Sequence, residues 1–340
     1  MDTAAQINLN QKQGKIVAII IKYPIIPTLV FFVCMLIVFV ILSPSNRMGQ
    51  NIFLSPTNLS NIVEATAAFS IGAFAMTLVL LVGCIDLSAE SIIALSSVVL
   101  GVCLETLHIG FPAALLITFL VGIGCGIINS ILVIRFKVES FLATIAVALV
   151  FSGIAYTVSG SRTVLLTNRE TLVRLFGSIG SGAHFLGLPM LLWWTLVCLV
   201  GMFLLISRSK FGRWAQATGG NIQAAFSSGV NIDIVRAVAF IIMGAFCSLI
   251  GVIFCARLSS SSPGYGAGYG LKFIIAAVLG GTNFKGDGGN VFGTILGSLV
   301  MGVLTNGLGI IGVNIYIQQV ITGIVIVIAV VFSIYISSKK

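Results

Sequence analysis

Long uninterrupted apolar runs, separated by short polar segments, occupy most of the chain. An α-helix needs about 20 apolar residues to cross the hydrocarbon core of a membrane. The runs lack the every-second-residue alternation of a barrel strand, and lipid offers no partner to unpaired backbone groups. The pattern therefore predicts an all-α polytopic membrane protein with about ten transmembrane helices. The predicted spans are 25–42, 59–83, 91–104, 111–134, 140–160, 188–206, 237–256, 272–282, 291–311 and 316–336.

Two of these spans, 91–104 and 272–282, are short, and the second ends at Gly280-Gly281. Short or glycine-interrupted segments in transporters are often broken or re-entrant helices that line a pathway. We therefore expect two of the helices to be short or broken.

Two stretches of the chain, 122–153 and 297–329, are loosely alike. Each carries an asparagine near the end of its first span, Asn129 and Asn306, followed by a short link and a second span. The two links would lie on opposite sides of the membrane, which is the pattern of an inverted repeat. Chance glycine spacing would explain the likeness equally well.

Composition and charge agree with a membrane location. The 340 residues are 58% hydrophobic and only 8% charged, whereas ordinary soluble domains have about 25% charged residues. The net charge of +9 could indicate nucleic-acid binding, but the tendency of positive charge to collect on the cytoplasmic side explains it better. We predict a single transmembrane domain over 1–340 with no nucleic-acid partner.

The positions of Lys and Arg predict the orientation. With a cytoplasmic N-terminus, twelve of these residues lie inside and five outside, and Lys272 is ambiguous. The bias predicts that both termini are cytoplasmic, with 1–24 as a cytoplasmic N-terminal segment and no cleaved signal peptide. The five external residues are Arg47, Arg162, Arg169, Arg174 and Arg257.

No catalytic or metal-binding set is visible in the sequence. The histidines His108 and His184 fall in predicted outer loops, and the seven cysteines lie in or beside apolar runs without metal-ligand spacing. The glycine-rich stretch 280–289 lacks the Gly-Lys-Ser/Thr ending of a phosphate-binding loop. We expect a transport subunit that is not an enzyme and carries no metal or cofactor.

The segment 208–236 is basic, glycine-broken and amphipathic, and the charge bias makes it cytoplasmic. Asn221 is a good N-cap, and Gly229 can end a short helix that begins at Ile222. Ile222, Ala225 and Phe226 would share one face of it, which then needs a surface to pack against. A protein partner or the lipid headgroups would provide that surface.

Several spaced motifs resemble the ribose-type sugar ABC transporter permeases, over residues 55 to 336 and in that family's order. Segment 83–88 reads GCIDLS, close to the family's GGIDLS signature. The family's coupling loop is similar to Gly219, Gly220 and Asn221, then Ala224, Ala225 and the SGVN run at 228–231. The family's C-terminal glycine pattern is similar to residues 279–282 together with Gly286, Gly289 and 293–294. The start of the family's last helix is similar to residues 318–323.

The resemblance implies the membrane half of a bacterial importer in the inner membrane. Two permease subunits, identical or not, would form the pathway for a monosaccharide or similar small polar solute. Cytoplasmic ATPase subunits or a tandem ATPase would bind ATP and magnesium, and a periplasmic solute-binding protein would deliver the solute. The 208–236 coupling loop would dock on the ATPase. Its expected coupling residues are Arg208, Gly212, Arg213, Gly219, Gly220, Asn221, Ile222, Ala224, Ala225, Phe226 and Gly229.

The chain departs from the family pattern in places. The family has an acidic-Leu-acidic run where this chain has Gly270-Leu271-Lys272, so two acids are lost and a cation is gained. Ala89-Glu90 replaces the usual Val-Gly, and Cys84 replaces a glycine. These changes put the identity of the solute or of the binding protein in doubt. An acidic solute and an altered lipid or protein contact are both open.

Asp86 and Ser88 stand at a predicted cytoplasmic turn, where we expect either side chain to cap the helix that follows. Polar or aromatic residues at or inside spans are candidates for the solute pathway, although each could equally serve helix packing. These candidates are Asn129, Phe141, Thr144, Ser152, Asn306 and Gln318. The alternative function is an ion-coupled secondary transporter of a small polar solute. That function needs acids inside the spans, and Glu64 is the one acid placed to serve.

Overall fold

The computed structural model describes residues 25–46, 48–167, 184–283 and 288–337. Twelve helices and four two-residue strands lie within these ranges. The helices are α1 Ile25–Leu42, α2 Pro56–Leu81, α3 Ala89–Thr106, α4 Phe111–Ile134, α5 Ser140–Val158, α6 Met190–Arg208, α7 Lys210–Gly220, α8 Ile222–Ser227, α9 Ile232–Leu258, α10 Tyr269–Leu279, α11 Val291–Ile310 and α12 Ile315–Ser337. The strands are β1 Val164–Leu165, β2 His184–Phe185, β3 Leu188–Pro189 and β4 Ser260–Ser261, and the antiparallel pairs are β1 with β4 and β2 with β3.

The helices confirm the all-α polytopic class. Eight of the described helices have at least 18 residues and are apolar enough to cross a membrane, and α10 and α12 are apolar too. Each of the ten predicted spans coincides with one of these ten helices. The number of crossings and the cytoplasmic side of both termini stay predictions. The N-terminal segment 1–24, and Gly286 of the glycine pattern, lie outside the described residues.

One of the two predicted short helices is not short. The run 91–104 becomes the 18-residue α3, because the helix extends two residues further at each end and finishes in a wide π-type turn over Val102–Thr106. Only α10, with 11 residues, is short. Apolar windows missed the ends of α3 because Glu90 and Glu105 lie in its first and last turns.

Helix α2 forms the centre of the molecule. It begins with Ser55 as N-cap, whose side chain accepts from the amide of Asn58, and with Pro56 in the first turn, where its fixed φ favours a helix. Every residue from Thr66 to Val82 is buried. A helix that is apolar all round belongs inside a bundle, and α2 packs against α6, α9, α10 and α11.

The helix packing agrees with an internal repeat, and the inversion of its two halves across the membrane stays a prediction. In the first half α4 packs on α9, and α3 packs on α4, α5 and α9. In the second half α11 packs on α2, and α10 packs on α11, α12 and α2. The two sets match if α2 exchanges with α9 and α3–α5 exchange with α10–α12. The similar stretches 122–153 and 297–329 fall on α4–α5 and α11–α12, as this exchange requires.

Glycines let these helix pairs approach closely. A Cβ at Gly126 in α4 would collide with the backbone of α9 at Phe240, and a Cβ at Gly297 in α11 would collide with the carbonyl of Ala276 in α10. Small residues at contacts allow backbones to come together where lipid provides no hydrophobic drive. Both halves therefore use the same packing device.

Each half also contains a non-helical segment that precedes an inner helix. The linker 82–88 leads into α3 and runs beside the start of α5, where Ser140 Oγ accepts from the Ile85 amide at 3.0 Å and Thr144 Oγ1 accepts from the Leu87 amide at 3.1 Å. The loop 259–268 leads into α10 and follows α3, since Ser261 contacts Gly101 and Gly266 contacts Ile93. These two α3 positions are eight residues apart, about 12 Å along the helix.

Candidate coupling surface and transport pathway

The predicted coupling loop folds into two short helices, α7 and α8. Ser209 caps α7 by accepting from the Gly212 amide at 3.0 Å. A side chain at Gly212 would collide with the carbonyl oxygens of Leu205 and Ile206, so only glycine allows α7 to fold back against the end of α6. Gly220 is the last residue of α7.

The caps predicted for the short helix are confirmed. Asn221 Oδ1 accepts from the Ala224 amide at 3.0 Å. Gly229 has φ +78°, a left-handed conformation that suits glycine, and the amide of Val230 returns to the carbonyl of Ala225 at 3.1 Å. These local bonds define α8 at only six residues.

The exposed face of this pair differs from the predicted one. Ile222 and Phe226 are 45% and 73% exposed, and Trp214 of α7 is 46% exposed. Ala225 is only 2% exposed because it packs against the rest of the chain, so it is not available to a partner. Helical spacing placed the three predicted residues near one another, but it could not show which edge of that face already had a neighbour. We call Trp214, Ile222 and Phe226 the coupling surface.

Basic residues flank the coupling surface. Arg213 is exposed, and the guanidinium of Arg208, also exposed, lies 5.9 Å from the ring centre of Phe203. Ala224 is exposed on α8. The positive charge and the apolar side chains together suit an anionic protein surface or lipid headgroups.

The two coupling helices contact the linker that leads into α3. Gly219 of α7 lies against Gly83, where an added Cβ would be 3.9 Å from the Gly219 Cα. Helix α7 also packs on α2 and α9, and Arg236 of α9 donates to the Val82 carbonyl at 3.4 Å. A displacement of α7 therefore bears directly on the linker and on the end of α2.

Asp86 is fully buried within that linker. Its carboxylate accepts from the Ser88 amide at 2.8 Å, from the Ser88 hydroxyl at 2.6 Å and from Asn129 Nδ2 at 3.4 Å. Asn129 also donates to Ser88 Oγ at 2.7 Å. Burial is the largest influence on Asp86 and raises its pKa to about 6, although the bonds from Ser88 and Asn129 oppose that rise.

The predicted capping of α3 is correct only in part. Asp86 accepts the amide of Ser88, the residue immediately before α3, but Ser88 makes no side-chain bond to an amide of the helix. Its hydroxyl is instead used in the bond to Asp86. The cap prediction considered only local sequence, and Asn129 comes from another helix.

The six pathway candidates do not form one site. Asn129 and Thr144 are buried beside the linker, and both bond to it. Phe141 is 47% exposed, and Ser152 is half-buried further along α5. At a separate place, Asn306 donates to Asn58 Oδ1 at 2.8 Å and Gln318 donates to the Val313 carbonyl at 2.8 Å.

A cavity of about 540 Å³ opens where the linker meets the end of α4 and the starts of α5 and α9. Phe141 is one of its walls, together with Cys84 and Ile85 of the linker. Its charged lining residues are Lys137, Glu139, Asp233 and Arg236. The cavity connects the linker to the side of the molecule that carries α7 and α8.

A second polar group, beside α10, was missed by sequence reasoning. The carboxylate of Glu90 accepts from the Gly268 amide at 2.7 Å, at the N-terminus of α10. Arg257 Nε lies 3.2 Å from Glu64 Oε2, so the one acid considered for ion coupling is in a salt bridge. Within the described residues no group of three or more His, Cys, Asp or Glu could hold a metal ion. In the sequence, two departures from the family pattern could have indicated this polar group beside α10: the gain of Glu90 and the loss of the acids at 270 and 272.

Comparison with known proteins identifies the family. A family model described as the permease component of branched-chain amino acid transport systems matches residues 58–330. The chain belongs to this permease family. It is 34% identical to the ribose import permease protein RbsC of Escherichia coli K12 over 82% of this chain and 86% of that protein.

Further relatives confirm the resemblance to the ribose-type permeases. The identity is 36% to the ribose import permease protein RbsC of Bacillus subtilis, over 89% of this chain and 90% of that protein. It is 32% to the D-allose transport system permease protein AlsC of E. coli K12, over 88% and 89% respectively. No solved structure matches the chain.

Proposed function

We propose that this chain is the permease subunit of a bacterial ABC importer that moves a monosaccharide or sugar-like small polar solute across the inner membrane. ATP and magnesium bind on separate ATPase subunits, and a periplasmic binding protein delivers the solute. A second permease subunit completes the pathway. The relatives named as ribose and D-allose permeases support a sugar over an amino acid as the solute.

The observation that carries this proposal is the coupling surface. Phe226 and Ile222 are large apolar side chains that stand exposed on a helix of six residues. A helix this short is marginal alone in water, and exposed apolar anchors are typical of docking sites. Motion of the docked helix reaches the linker and the end of α2 through Gly219 and Gly83. A docked element of this kind transmits a rigid-body change when its contacts differ between two states of the motor.

The first prediction concerns Phe226→Asp. Because Phe226 is 73% exposed, the substitution removes little internal packing. The protein should therefore insert into the membrane, and its melting temperature should be unchanged. A carboxylate that must be desolvated against an apolar partner costs several kcal/mol, so solute-stimulated ATP hydrolysis should fall at least about tenfold. The measurement uses the permease reconstituted with its ATPase and binding protein.

Two variants control this experiment. Phe226→Leu keeps an apolar anchor and should retain most of the activity. Gln216→Asp adds the same charge at an exposed polar position of α7 and should have a small effect. Normal uptake by Phe226→Asp would refute the docking role. Uptake driven by an ion gradient without ATP would instead favour the secondary transporter.

A further inference from the structure

Lys272 lies in the first turns of α10 without a carboxylate partner among the described residues. Its Nζ lies 5.2 Å from the ring centre of Tyr269 and 5.6 Å from that of Phe69. The two rings stack with their centres 4.8 Å apart and their planes at 20°. The sequence left the side of Lys272 ambiguous, and the structure places it half-buried beside Phe69, near the middle of α2.

The nearby acids are engaged elsewhere. The Glu64 carboxylate is paired with Arg257, and the Glu90 carboxylate accepts from the Gly268 amide. The N-terminus of α10 adds partial positive charge near Lys272. An ionisable group within a membrane domain is costly unless it is paired, and such groups usually serve transport. Among the described residues Lys272 therefore has no carboxylate as a direct ion-pair partner, and an anion from elsewhere can take that place.

The surface beside Lys272 does not suit lipid. Gly264, Ala267, Gly268 and Leu271 are exposed, and the part of the loop that follows β4, residues 262–268, is neither helix nor strand. Its deepest point, Gly266, contacts Ile93, which is 13 residues or about 20 Å along α3 from the end at Thr106. Non-helical backbone at such depth is tolerated only where it is covered by protein or lines a water-filled cavity.

We propose that Lys272 and Tyr269 form a subsite in the transport pathway for a solute that carries a negative group, a sugar acid or a sugar phosphate. The ammonium pairs with the carboxylate or phosphate, and the partly exposed Tyr269 ring, which the buried Phe69 ring holds in place by stacking, packs against the apolar face of the sugar. The proposal rests on the proposed import function and names its substrate class. The cation at 272, where the resembled pattern has an acid, fits this reversal of preferred charge.

Ligand binding to the full-length permease in lipid nanodiscs tests this subsite without a binding protein. Saturation-transfer NMR would compare D-galacturonate with D-galactose, D-ribose 5-phosphate with D-ribose, and inorganic phosphate alone. At least one acid should bind about tenfold or more tightly than its neutral counterpart, as expected for a charge-assisted bond. The two pairs separate a carboxylate ligand from a phosphate ligand.

Three variants identify the residues responsible. Lys272→Gln should abolish the preference for the acid, and Lys272→Arg should retain it. Tyr269→Leu should weaken the acid and the neutral sugar alike, because it removes the stacking surface and leaves the charge. Equal binding of acid and neutral sugar to the unaltered protein would overturn the proposal, as would a preference that survives Lys272→Gln.

A lysine that pairs with a carboxylate of another subunit would give a different result. Lys272→Gln would then lower the melting temperature or dissociate the permease pair and leave ligand preference unchanged, which contradicts the subsite. Solute-stimulated ATP hydrolysis of the assembled importer distinguishes a failure of the subsite from a failure of the import function. If that activity is intact while no acid preference exists, the subsite is refuted and the import function stands.

Discussion

The linker 82–88 and the loop 259–268 occupy corresponding places in the two halves, but they satisfy their polar groups differently. The linker bonds within its own half: Asp86, Ser88 and Asn129 of α4 are all buried and bond to one another, and of this group only Asn129 Oδ1 is without a partner among the described residues. The loop is glycine-rich and partly exposed, and it depends on Glu90 of the other half for the Gly268 amide. Equivalent topology has thus produced a sealed segment in one half and an open one in the other.

This difference separates structural support from transport. The sealed linker lies next to α7 and the cavity, where coupling motion would arrive. The open loop lies next to Lys272 and the stacked Tyr269 and Phe69 rings. We therefore expect changes in the linker to act on stability and on coupling, and changes at Lys272 and Tyr269 to act on what is carried.

Ser88→Ala should have the largest effect on stability. The substitution removes the hydroxyl that donates to Asp86 at 2.6 Å and accepts from Asn129 at 2.7 Å, so each of these buried groups loses its shortest hydrogen bond. The expected loss is about 3 kcal/mol. Thermal unfolding of the purified protein in detergent measures it.

Ser91→Ala is the matched control for that variant. It makes the same chemical change three residues later, where the hydroxyl only donates to the Ser88 carbonyl at 2.8 Å. We expect a loss of about 1 kcal/mol. Equal losses for the two variants would contradict the idea that Ser88 holds the linker network together.

Gly266→Ala should show that the loop 259–268 is packed closely against α3 at Gly266. Gly266 has φ +84°, and a Cβ there would be 2.9 Å from the Glu90 carbonyl oxygen and from Ile93 Cβ. Strain and overpacking together should cost about 2 to 3 kcal/mol in thermal unfolding. Gly268→Ala shares the positive φ but meets open space, so it should cost about 1 kcal/mol. If both variants lose the same amount, contact with α3 does not fix the loop.

The pH dependence of stability should report on Asp86. Its folded pKa of about 6 lies above the ordinary value of 3.8, so between these values the folded state binds more protons than the unfolded state. Stability from this group is present below pH 4 and falls, on the order of 2 kcal/mol, as the pH rises to about 6. Asp86→Asn should remove that slope. A slope unchanged in the variant would assign it to other groups.

Glu90→Gln should have the smallest effect. The amide oxygen can still accept from the Gly268 amide, but the negative charge at the N-terminus of α10 is lost. We expect a loss of about 1 kcal/mol or less, and a larger loss for Glu90→Ala, which also removes the acceptor. Thermal unfolding at low ionic strength resolves the two. Equal losses would show that charge rather than the hydrogen bond matters here.

Local sequence predicted those features that depend on local interactions. Apolar run length located the ten apolar helices, and Asn221 and Gly229 located the caps of α8, because caps form within one turn of chain. Ala225 was predicted to be on the docking face but is buried, because its neighbours come from other elements of the fold. Ser88 was predicted to cap α3, but its hydroxyl is used in bonds to Asp86 and to Asn129. Asn129 is 41 residues away, so local sequence could not predict this bond.

Hydrophobic length and ordered motifs are properties of the chain alone, so the membrane class, the span positions and the family resemblance could be predicted from the sequence. The contacts between polar groups could not, because they form only in the folded molecule. The tertiary structure paired Glu64 with Arg257, brought Glu90 to the start of α10 and set Lys272 beside two rings. Electrostatic and packing energies depend on distances between distant segments, and those distances exist only once the two halves have folded together.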